Sequence, residues 1–160
     1  IYTHGCGHDG LYGFNPQVYD EMLRCGQRLF ALATDDNHDR LPLGHPLNDS
    51  FGGFVQIAAR ELSYPAVIEA LRAGRFYWSQ GPQLKGLSIE NGMLQVKTSP
   101  VEKIFVTVEG RDSYKAVVSP GETLTQAQFP LSGTEGWFRV QVRDSRGLFA
   151  GTNAYFMDSL

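Results

Sequence analysis

The chain has 160 residues, 42% hydrophobic and 12% aromatic, which suits one ordinary domain or two small ones and excludes wholesale disorder. Only 19% of residues are charged and the formal net charge is −3, so nothing supports nucleic-acid binding through a basic face. No apolar run approaches the ~18 residues of a membrane span, no signal peptide is visible, and Cys6 and Cys25 are too few for a disulfide framework. A reducing, cytoplasmic location is expected. The start at Ile1 rather than Met reads as a processed product or a part of a longer protein.

In chain order, Asn15-Pro16 predicts a helix start, with a capping side chain followed by proline at the first helical position. Val18, Tyr19, Met22, Leu23 and Cys25 give it an apolar stripe, and Gly26 closes it. Arg28 to Thr34 reads as a nearly continuous apolar strand buried on both faces. A polar loop from Asp35 to Ser50 leads to a second strand, Gly53 to Ala59. Ser63 then caps a helix through Val67, Ile68 and Leu71 that ends at Gly74, and Arg75 to Ser79 forms another short strand. Strand, helix and strand at this spacing predict an α/β layer.

Near Gly81-Pro82 the helical period gives way to alternation by two. Asn91-Gly92 is the strongest hairpin signal, because both central residues of a type I′ turn need positive φ. A two-residue loop there pairs Ile89 with Leu94 and Leu87 with Val96, placing all four on one face. Ile104, Val106 and Val108, then Tyr114, Ala116 and Val118, then Phe138, Val140 and Val142 continue the alternation. Asp144 to Gly147 turns the chain into Leu148 to Phe156. About seven short strands of this kind predict a small antiparallel β-sandwich. No internal repeat is visible.

Two clusters carry ligand chemistry. In Thr34-Asp35-Asp36-Asn37-His38-Asp39, the loop follows a buried strand, where α/β folds gather ligands. Asp36 and His38 are two apart, so in extended backbone both point the same way. Carboxylate plus imidazole suits Zn²⁺, Mn²⁺ or Fe²⁺; a solvated polar turn is the competing reading. The second cluster, His4-Gly5-Cys6-Gly7-His8-Asp9, offers two imidazoles, a thiol and a carboxylate. Neither a helix nor a zinc-finger spacing supports it as a ligand set, so it reads as a flexible stretch with incidental histidines. His45 falls in a turn, structural or exposed.

The run from Leu29 through Pro82 resembles the C-terminal part of the PHP (polymerase and histidinol phosphatase) family of metal-dependent phosphoesterases. The resemblance rests on Ala33-Thr34-Asp35-Asp36-Asn37-His38, Gly52-Gly53-Phe54, Glu61-Leu62, the helix ending Ile68 to Tyr77, and Ser79-Gln80-Gly81-Pro82, in that order. The C-terminal half, with Ser99-Pro100 and Asp144 to Asn153, is more loosely similar to the β-rich extension of some members. The resemblance implies a distorted β/α barrel with two or three divalent metals (Mn, Fe or Zn) at its mouth, which activate water and bind phosphoryl oxygens. It makes Asp36 and His38 the last Asp-x-His metal ligands and Asp35 a partner that holds His38 in its ligating tautomer.

The family's opening His-x-His pair is absent, as are convincing counterparts of its Glu and middle His ligands. The expected fold is therefore α+β: a partial PHP-like β/α barrel segment over residues 1–82, followed by a small antiparallel β-sandwich over 83–160. The expected function is that of the C-terminal portion of a phosphoesterase for a small phosphate ester or nucleotide, inactive as an isolated chain. Its partner is the missing N-terminal barrel portion or a second copy, because a cut barrel leaves Leu29, Phe30, Leu32, Phe54, Val55 and Ile57 as uncovered surface. The alternative is a non-catalytic module whose β-sandwich recognises a sugar or protein through Trp137, Tyr114 and Tyr155. Trp137, opposite Phe138, Val140 and Val142 on its strand, reads more readily as packing against the neighbouring α/β layer.

Overall fold

The computed structural model describes all 160 residues, and the chain divides into two units, Ile1–Gln80 and Gly81–Leu160. The molecule is mainly β, with three helices, and its sheets form no closed barrel. No helix is long and apolar enough to cross a membrane.

The first unit contains β1 (Tyr2–Thr3), α1 (His4–His8), α2 (Pro16–Arg24), β2 (Ala33–Thr34), β3 (Phe54–Ile57), α3 (Tyr64–Arg72) and β4 (Phe76–Ser79). β1 and β2 pair in parallel, Tyr2 against Ala33 and Thr3 against Thr34. The chain after α1 returns along the other side of β1, with the Thr3 N–H donating to the Gly13 carbonyl at 2.8 Å. Pro16 opens α2 as expected, at a position where its missing N–H costs nothing. The buried stripe is narrower than the apolar pattern predicts: Tyr19, Asp20 and Leu23 face inward, whereas Val18, Met22 and Cys25 are exposed. Ser63 caps α3 by accepting the Ala66 N–H at 3.4 Å, and its hydroxyl also donates to Glu61.

Two expectations for this unit need correction. Arg28 to Thr34 is not one strand buried on both faces. Only Ala33 and Thr34 pair as a strand, and burial alternates: Ala31 and Ala33 point inward, while Phe30 and Leu32 are 50% and 44% exposed. A continuous apolar run is buried on both faces only when layers cover both. The strand-helix-strand segment, expected as an α/β layer, has its two strands paired with each other: β3 and β4 pair antiparallel, Phe54 against Ser79 and Ile57 against Phe76, with α3 between them in sequence.

The second unit contains β5 (Leu84–Glu90), β6 (Met93–Val101), β7 (Lys103–Val108), β8 (Ser113–Val117), β9 (Leu124–Pro130), β10 (Trp137–Arg143), β11 (Phe149–Thr152) and β12 (Tyr155–Phe156), then a short 3-10 turn, Met157–Ser159. All pairings within it are antiparallel. β5, β6 and β9 make one sheet. In the other, β8 pairs β7, β7 pairs β10, and β11 and β12 share the remaining side of β10. Between those last two, the Val140 N–H finds the Thr152 hydroxyl at 3.0 Å instead of a strand carbonyl, so the interrupted ladder leaves no orphan donor there.

The Asn91-Gly92 turn has φ of 51° and 75°, and it sets the register Leu87–Val96 and Ile89–Leu94 as its chemistry requires. Leu94, Val96, Ile104, Val106, Phe138, Val140 and Val142 are buried, and full burial of each aliphatic chain contributes about 1.5–3 kcal/mol. Trp137 is only 1% exposed, so it is a core residue and offers no recognition surface. β9 carries no clean alternation, because Thr125, Gln126 and Gln128 dilute it, and the sequence gives no separate signal for it.

Candidate functional site

Parallel pairing of β1 and β2 brings their carboxyl ends side by side, and the two polar clusters follow those ends. The pairing continues into α1, where the Gly5 N–H donates to the Asp35 carbonyl at 2.7 Å. The segment 4–9 is therefore no flexible stretch. It contains one helical turn, His4–His8, docked beside Asp35 and Asp36, which separate sequence motifs alone could not reveal.

Asp35 is a clamp for the loop that follows it. Its carboxylate accepts the Phe51 N–H at 2.5 Å and the Gly53 N–H at 2.7 Å, closing the loop from Asp36 to Ser50 at its base. This corrects the expectation that Asp35 would orient His38. That role falls to Asp49, whose Oδ2 accepts the His38 backbone N–H at 2.7 Å and lies 3.4 Å from His38 Nδ1. The His38 backbone donor, chiefly, holds the Asp49 carboxyl below its ordinary range, with the imidazole adding to the effect. No spacing signal links positions 38 and 49; only the folded loop does.

Further bonds stiffen the loop. Asn37 accepts the Asp39 N–H at 2.6 Å and its amide donates to Ser50 Oγ, while Asn48 donates to the Leu41 carbonyl at 2.6 Å. His45 is exposed in its turn and accepts the Leu47 N–H. Three non-glycine residues here have positive φ: Asp36 at 55°, Asp39 at 50° and Phe51 at 65°. Aspartate tolerates this region, but a phenylalanine there is strained, and such strain persists only where the surroundings impose it.

Asp36 and His38 are both exposed, His38 by 46% of its side chain. With Nδ1 turned to Asp49, the His38 ring presents Nε2 on its far side. That is the arrangement of a metal-ligating histidine whose second nitrogen is held by a carboxylate. No group of three or more His, Cys, Asp or Glu side chains converges in a way that could hold a metal ion. In the second unit a separate apolar cleft of about 350 Å³ is lined by Leu87, Ile89, Leu94, Phe138, Tyr155 and Leu160. Tyr155 stacks on Phe138 at 5.4 Å, and burial pushes its hydroxyl pKa up. No family model, curated protein or solved structure matches this chain.

Proposed function

We propose that this chain is the C-terminal portion of a PHP-like, metal-dependent phosphoesterase, with Asp36 and His38 as two of the ligands of a divalent-metal centre. The observation that carries the reading is the pairing of His38 with Asp49 beside Asp36, in a clamped and strained loop at the carboxyl end of a parallel strand. The donor set fits such a group: one carboxylate and one imidazole, both reachable, suit Mn, Fe or Zn. When bound, the metals would supply charge for the phosphoryl oxygens and for water activation. The chain's own contribution is positional. Asp35 fixes the loop base and Asp49 fixes the imidazole.

Two ligands on one loop are too few for a multinuclear site, so the isolated chain is expected to hydrolyse no phosphate ester. The remaining ligands belong to the missing barrel portion, or to a second copy if the chain self-associates. The test is Mn²⁺ binding by the purified chain, followed by electron paramagnetic resonance. Binding weakened in both Asp36→Asn and His38→Ala supports the assignment. Binding that survives both substitutions, or its absence at millimolar Mn²⁺, overturns it, and strong hydrolysis by the chain alone refutes the inactive-fragment reading. A second reading, ligand binding by the β-rich unit, is favoured by the apolar cleft at Phe138 and Tyr155.

A further inference from the structure

His4 and His8 stand one turn apart on α1, the i, i+4 spacing that puts two imidazoles on one helix face. Their ring centres are 4.9 Å apart and their planes 78° from parallel. Two imidazoles sharing a tetrahedral ion with Zn–N bonds of about 2.1 Å hold their centres about 5 Å apart, close to the spacing of these rings. His8 Nε2 is buried and has no hydrogen-bond partner. An orphaned buried nitrogen is costly, and a bound ion would satisfy it.

His4 is held in place on two sides. Its Nδ1 lies 2.9 Å from the Tyr2 hydroxyl, which leaves Nε2 as the nitrogen open to a ligand. Gly52 lies against the ring so closely that a Cβ there would sit 2.2 Å from His4 ring atoms. A donor fixed in this way loses little freedom on binding, and the Tyr2 contact is the kind of outer partner that orients a metal-bound histidine. Cys6, midway between the two histidines, lies off their shared face.

We propose that His4 and His8 form a two-histidine site for a nitrogen-preferring divalent cation, Zn²⁺ foremost. The site is separate from Asp36 and His38 and does not depend on the phosphoesterase reading. Oxygen-preferring Mn²⁺ would favour the Asp36 site and Zn²⁺ the histidine pair.

The test is Zn²⁺ titration of the intact chain in the Asp36→Asn, His38→Ala double variant, by calorimetry and by ¹H–¹⁵N correlation of the histidine ring nitrogens. With His38 replaced, three of the chain's four histidines remain, so the ring signals are assignable. The expected result is one Zn²⁺ equivalent retained, with Nε2 of His4 and His8 shifting together and His45 unmoved. His8→Gln should weaken binding by roughly tenfold or more, and Tyr2→Phe, which keeps the ring, by a smaller factor. The ring-nitrogen spectrum needs no substitution of either histidine, so it decides the matter even if His8→Gln does not fold. Zn²⁺ that leaves both Nε2 signals in place, or affinity unchanged by His8→Gln in a folded chain, overturns the proposal and leaves a packing contact only.

Discussion

The two units solve the same problem with different means. Of the buried apolar side chains, thirteen belong to the second unit and seven to the first, while eleven of the fifteen exposed large apolar residues belong to the first. The second unit rests on long antiparallel ladders, with burial alternating along β7 and most of β6. The first has two-residue strands and a long loop held by side chain-to-backbone bonds. Three of the four non-glycine residues with positive φ also fall in that loop or directly after it. The difference teaches where each unit is fragile: one in its packing, the other in its polar clamps.

The largest effect that tests this contrast is in the second core. Phe138→Ala should cost about 3–5 kcal/mol in urea denaturation followed by near-ultraviolet circular dichroism, and a loss well below that would mean the ladders, not the packing, carry the unit. Next, Asp35→Ala strands two backbone donors and should cost about 1–3 kcal/mol. Its signature is faster amide exchange at Phe51 and Gly53 with the β6 and β7 amides unchanged; uniform slow exchange would contradict the clamp.

A smaller pair of substitutions should move in opposite directions. Gly92→Ala puts a Cβ at φ 75° and should destabilise by about 1 kcal/mol, whereas Phe51→Gly, at φ 65° and with Phe51 77% exposed, should stabilise by about 1 kcal/mol. Equal signs in thermal melting would defeat the strain argument. The smallest effect is pH-dependent. Because folding lowers the Asp49 pKa below 3.8, its contribution is complete above that value and is lost as pH falls through the lower folded value. His38 amide protection should fall over that acid range and be restored on returning to neutral pH; protection unchanged down to the acid limit of folding would rule out the pairing.

What the sequence disclosed follows the same division. Local chemistry was legible wherever one residue type forces one geometry: Asn91-Gly92 set a register, Ser63 capped a helix, and Ile104, Val106 and Val108 marked an inward face. Periodicity failed at Arg28 to Thr34, because apolar content says nothing about whether a second layer arrives to cover it. The candidate site was legible only as far as Asp36 and His38. Its supports, Asp49 and the doubly bonded Asp35, are polar loop residues at separations with no period, and the docking of His4 beside them depends on a parallel pairing of strands two residues long.

The Asp35 clamp has a consequence for how the protein tolerates change. Phe51 lies sixteen positions from Asp35, yet the two are joined by a direct bond, so the intervening chain is a closed ring whose ends are set independently of its contour. Doubling the length of such a ring costs only about 0.6 kcal/mol in closure entropy, less than losing either bond that shuts it. The stretch around Pro42 to Leu47 is therefore a place where insertions can accumulate, while Asp36 and His38, next to the fastening, keep their positions.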